Sequence, residues 1–127
     1  MVVAALLLLL VVWLVSRDTP PGPGADPGEA AAQEFIRAYV AALNTNDPDT
    51  LAAFLGEPSG SREIEERLAK YGGLALQDVR VVLVNEFPRI YRVQVDARAG
   101  DGRIVEMTEV LEWTRTRWHL APLAPPG

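Results

Sequence analysis

Residues 75–121, ALQDVRVVLVNEFPRIYRVQVDARAGDGRIVEMTEVLEWTRTRWHLA, decide the fold. Apolar and polar side chains alternate here with a period of two, and turn-forming residues break the run, so it reads as strands over about 75–85, 89–99, 103–114 and 117–121. Short connections imply an antiparallel meander, and the side-chain parities of its hairpins test one another. With Glu86-Phe87-Pro88 as a three-residue loop, Val79, Val81 and Leu83 lie opposite Val95, Val93 and Tyr91. With Gly100-Asp101-Gly102 as the next loop, Ala97, Val95, Val93 and Tyr91 face Val105, Met107, Glu109 and Leu111. With Arg115-Thr116 as a two-residue turn, Trp113 faces Trp118 and Leu111 faces Leu120. All strands then present their apolar set to one side.

Upstream the period changes to that of helices. Asp26-Pro27-Gly28-Glu29 reads as a helix start, with a capping Asp and Pro at the first helical position. Phe35, Ile36, Tyr39, Val40 and Leu43 then share one face, with Glu34 and Arg37 opposite. Asp47-Pro48 opens a second, short helix carrying Leu51, Phe54 and Leu55, which Gly56 closes. A third runs from a Ser61 cap to Tyr71, with Ile64, Leu68 and Tyr71 as its stripe. Glu63–Arg67 and Glu66–Lys70 stand at i,i+4 in the favourable orientation, so the charge run reads as a solvated helix face.

The chain opens with MVVAALLLLLVVWLV, which carries no charged side chain. Residues 1–16 read as a signal anchor, or as a signal peptide if cleaved. A helix over Val2–Val15 spans roughly 21 Å at 1.5 Å per residue, short of the roughly 30 Å hydrocarbon core. Trp13 at the interface and a snorkelling Arg17 extend it, and no small-x-small cleavage site follows closely. Residues 17–28 hold Pro20, Pro21, Pro23 and Pro27 among glycines and read as an extended linker. Residues 29–122 form the domain and 123–127 a short tail. The expected location is the cell membrane, single-pass, with the C-terminal domain extracytoplasmic, or secretion if the leader is removed.

A formal charge of -5 lies wholly at or beyond Arg17 and argues against nucleic acid as a partner. The absence of cysteine excludes disulfides, thiolate metal sites, a cysteine nucleophile and a lipid-bearing cysteine. The single histidine, His119, falls on the outer face opposite Glu112, and no second His or Asp cluster supplies a metal site. No cofactor is expected. The inner face is apolar except at Glu109, which lies opposite Val93 between Met107 and Leu111. A carboxylate there is desolvated and its pKa raised, which makes it the candidate acid or base, with Tyr39 as a hydrogen-bond donor. Phe35, Tyr39, Phe54, Tyr91, Met107, Glu109, Trp113 and Trp118 would line any pocket, although aromatic residues on an inner face are most often core. On the outer face, Val82, Val84, Ile90 and Val110 among Arg80, Arg92, Glu106 and Glu112 suggest a partner surface. High strand propensity explains the same residues without a partner.

Three helices followed by a curved meander, with the long amphipathic helix in EAAAQEFIRAYVAALNTNDPDTLAAFL and the Trp-bearing hairpin LEWTRTRWHLAP, resemble the cone-shaped α+β superfamily of nuclear transport factor two and ketosteroid isomerase. The likeness covers about residues 28–122 and is strongest to the membrane-anchored bacterial members. It implies a cystatin-like cone, with helices closing one end of the sheet over a hollow that binds a small apolar molecule or simply packs. Enzymatic members carry Asp, His or Tyr in the cone; here Glu109 and Tyr39 are the inward polar candidates. The expected function is a non-catalytic membrane-tethered domain that binds a partner protein or small apolar ligand. The alternatives are an isomerase- or dehydratase-like enzyme using Glu109, and a structural subunit that forms a homodimer through its sheet face.

Overall fold

The computed structural model describes residues 27–122; the expected anchor, most of the linker and the tail lie outside the described residues. Three helices, α1 (Glu29–Thr45), α2 (Pro48–Leu55) and α3 (Arg62–Tyr71), precede four strands. These are β1 (Gln77–Phe87), β2 (Ile90–Arg98), β3 (Ile104–Thr114) and β4 (Arg117–Leu120), in an antiparallel sheet of order β1-β2-β3-β4. The fold class is therefore α+β. No helix among the described residues is long and apolar enough to cross a membrane.

Local chemistry sets the helix ends. The Asp47 side chain accepts from the Asp49 amide and the Thr50 hydroxyl, and Ser61 accepts from the Ile64 amide. Gly56 ends α2 at φ 70, where a side chain would be strained. The start of α1 differs from expectation: the cap is Gly28 and Pro27 precedes the helix. In the last turn of α1, the Asn44 side chain accepts from the Leu76 amide at 2.8 Å and donates to the Leu76 carbonyl at 2.9 Å. It pairs with the backbone just before β1 as a neighbouring strand would.

The β2–β3 and β3–β4 registers are those the alternation predicts, with Val93 opposite Glu109 and Trp113 opposite Trp118. The β1–β2 register differs by two residues: Val81 faces Val95, Leu83 faces Val93 and Asn85 faces Tyr91. The cause is the turn. Pro88 and Arg89 form a two-residue connection closed by Phe87 opposite Ile90, and Arg89 takes the second central position at φ 67. Proline's fixed φ suits the first position of such a turn. Glu86 then becomes an extra residue in a bulge between Asn85 and Phe87. An even shift leaves the side chains from Arg80 to Asn85 on their expected faces, whereas a second bulge between Gln77 and Arg80 turns Gln77 outward beside Arg98.

The core lies between the inner face of the sheet and the helices. Ile36, Tyr39, Leu43, Leu51, Ile64, Val93, Val95, Met107 and Leu111 are fully or almost fully buried. The short strand β4 is held by Trp118, which packs edge-on against Tyr91 and Trp113 with ring centroids 5.8 and 5.0 Å away. Arg115 occupies the β3–β4 turn at φ 59, a conformation that glycine adopts without steric cost. Arg115→Gly is expected to raise stability by about 0.5–1 kcal/mol in urea unfolding, as strain relief outweighs the added freedom of the unfolded chain.

Candidate functional site

The inward carboxylate organises the one extensive polar cluster buried among the described residues. Glu109 is 3% exposed, as the sheet alternation requires. Its partner is Arg67 of α3, which is 0% exposed. The Arg67 Nη1 atom donates to Glu109 Oε2 at 2.8 Å and to the Tyr39 hydroxyl at 2.7 Å. Its Nε donates to Glu63 Oε1 at 2.6 Å, and Nη2 donates to the Ala121 carbonyl at 2.9 Å. The guanidinium carbon also lies 5.4 Å from the centroid of the Tyr39 ring. The planar fork suits this role, since its donors point to several acceptors at once. No buried side-chain nitrogen or oxygen among the described residues lacks a hydrogen-bond partner.

The Glu63–Arg67 pair thus forms at the predicted spacing, but in the interior rather than on a solvated face. Glu66 pairs with Arg62 at 2.7 Å instead of with Lys70, which lies over the Tyr71 ring. Sequence reasoning missed Arg67 because a charged i,i+4 pair ordinarily marks a surface. The signal was nevertheless there: Arg67 follows Ile64 by three and precedes Tyr71 by four, which places it on the apolar stripe.

Two carboxylates share this one guanidinium. Glu63 is partly exposed and sits at the shorter distance, so Glu109 is the surplus, more deeply buried anion. Burial raises the Glu109 pKa; Arg67 pulls it down, and Glu63 adds to the rise. The net direction is upward. The Tyr39 hydroxyl is also pushed up, by burial first and then by Glu109, so it stays protonated. It reaches Glu109 Oε2 only at 3.5 Å.

The other predicted pocket residues are core. Tyr91, Met107 and Trp118 are buried, and Trp113 is partly buried beside Trp118. Phe35 and Phe54 stack on each other at 4.8 Å and pack against the core from its margin. A small recess of about 30 Å³ opens outside Arg67 between Glu57, Glu63 and His119. His119 lies opposite Glu112 on the outer face, as predicted. A larger recess of about 270 Å³ lies on the outward side of the sheet, between Asp78, Arg80, Asp96 and Arg98. No group of His, Cys, Asp and Glu among the described residues could hold a metal ion.

On the outer face Val82, Val84 and Val110 are exposed and Ile90 is partly covered. Arg92 stands between Val84 and Val110 in one cross-strand row and pairs with Glu86 at 2.9 Å, which divides the expected apolar cluster. Phe87 and Ile104 add exposed apolar surface that the sequence reading did not include. Comparison of the chain with protein families, curated proteins and solved structures finds no match.

The two ionic partners have opposite expected mutational signs. Arg67→Met leaves both carboxylates without their cation and should cost about 3–5 kcal/mol in urea unfolding. Glu109→Gln should be neutral or stabilising at neutral pH, because Glu63 still neutralises Arg67. The pH dependence follows the same logic. A carboxyl with a raised folded pKa binds its proton more tightly when folded. Its stabilisation is fully present below the ordinary Glu value and is lost as pH rises through the folded value. Relative to Glu109→Gln, the native protein should therefore lose stability as pH rises from the ordinary Glu value, about 4.3, through the raised folded value.

Proposed function

We propose that this chain is a non-catalytic, membrane-tethered extracytoplasmic domain that binds a partner protein through the outward side of its sheet. One contrast carries this reading. The polar groups of the interior are engaged with one another, whereas Val82, Val84 and Val110 are left exposed outside. The curvature of a cone-shaped α+β domain, as in the superfamily of nuclear transport factor two and ketosteroid isomerase, is part of the same proposal. Its supports are the element order and the burial of the long first helix against the sheet.

A small apolar ligand fits less well, because side chains occupy the space between helices and sheet. An isomerase-like enzyme would need Glu109 and Tyr39 to meet a substrate, yet both are engaged by Arg67. A structural subunit that dimerises through its sheet face is the second reading, and the same exposed valines favour it.

The tether is tested on the full chain. The protein is expected to fractionate with membranes and to resist carbonate extraction; a mature N-terminus within residues 17–28 would overturn the anchor. The packed interior has its own test. The folded chain should leave the fluorescence of an anilinonaphthalene sulfonate probe unchanged beyond that due to the apolar leader. Saturable enhancement that Tyr39→Trp abolishes would return the interior to the status of a ligand pocket.

A further inference from the structure

We infer that β1 is a docking edge for a second copy of this chain, the two β1 strands pairing antiparallel across a dyad at Leu83. This specifies the partner for the sheet surface and rests on the proposal only in treating that surface as a docking one. The strand order leaves β1 at a sheet edge. Bulges interrupt it between Gln77 and Arg80 and between Asn85 and Phe87, so the regular part runs from Arg80 to Asn85. At one end the Val79 carbonyl is taken by Arg37 Nη1 at 2.9 Å, and at the other Pro88 follows. Between these limits there is no proline, and the stretch is rich in strand-forming valine. Such an edge is a template for another strand.

The residue pattern selects the partner. The outward series is Arg80, Val82, Val84 and Glu86; the bulge residue Glu86 reaches that side, where it meets Arg92. Antiparallel pairing about Leu83 sets each Arg80 opposite Glu86 of the second copy and each Val82 opposite Val84. The series is self-complementary, with opposite charges at both ends and apolar contacts between. A register centred on Val82 would instead put Arg80 opposite Val84 and lose the ion pairs. Val82 and Val84 are 51% and 45% exposed and so have surface left to bury. Opposed β-branched and oppositely charged pairs are the contacts that stabilise such a ladder.

Cysteine chemistry tests the dyad without background, since the chain contains no cysteine. In the full-length protein in detergent micelles, Leu83→Cys should form a covalent dimer on mild oxidation, because a residue on the dyad meets its own copy within disulfide reach. Val110→Cys, on the outward face and away from the edge, should remain uncrosslinked. Val84→Lys should fold normally and weaken self-association by about tenfold or more in sedimentation, since the change acts twice at a symmetric contact. Cross-linking at Val110 with none at Leu83 would replace the edge contact by a face-to-face dimer. A native chain that sediments as a monomer at high concentration would overturn self-pairing and leave the docking of a different protein standing.

Discussion

A single guanidinium inside the protein joins elements that are remote in sequence. Arg67 sits on α3 and binds Glu63 of its own helix, Tyr39 of α1, Glu109 of β3 and the carbonyl that follows β4. Taking a charge out of water is costly, and the cost is tolerable only when geometry and hydrogen bonding are nearly complete. Arg67 meets that condition with acceptors at both ends of its fork. The relative placement of α1, α3 and the last two strands is therefore coupled: none can shift without uncovering a charge.

The same cluster limits what the interior can do chemically. A buried carboxylate close to a tyrosine has the makings of an acid–base pair. Here one arginine nitrogen donates to both, the tyrosine hydroxyl reaches the carboxylate at 3.5 Å, and aliphatic and aromatic side chains fill the surroundings. The raised Glu109 pKa reflects burial first, with the charge of Glu63 adding to it against the pull of Arg67. On the outside the sheet leaves branched aliphatic side chains exposed beside charged residues such as the Arg92–Glu86 pair.

The sheet was legible in the sequence because a strand's period of two is rigid. Once one inward residue is known, the others of an unbulged stretch follow, and an error of two residues in β1–β2 leaves the faces of Arg80 to Asn85 intact. The loop length behind that error was not legible, since Pro88 fits a three-residue loop as well as the two-residue turn observed. Glu109 was legible for the same reason as the sheet. Arg67 was not, because its charge pattern and its stripe position point in opposite directions and the commoner meaning of the first prevailed. Joining the two observations would have resolved it: an inward carboxylate requires a cation, and Arg67 is the basic residue on the inward stripe of α3. The division of the outer apolar patch by Arg92 followed from register alone, but its pairing with Glu86 depended on a bulge that alternation cannot foresee.

The bond from Arg67 to the Ala121 carbonyl fastens the C-terminal end of the domain to a helix more than fifty residues earlier. Small domains beyond the membrane often make such a fastening with a cystine, which requires an oxidant and a search among partners. In this cysteine-free chain an ionic clasp takes that position. It closes without redox chemistry, reopens with unfolding and survives any thiol in the surroundings. Closure of the domain's C-terminal end therefore needs no oxidant and is indifferent to the redox state of its surroundings.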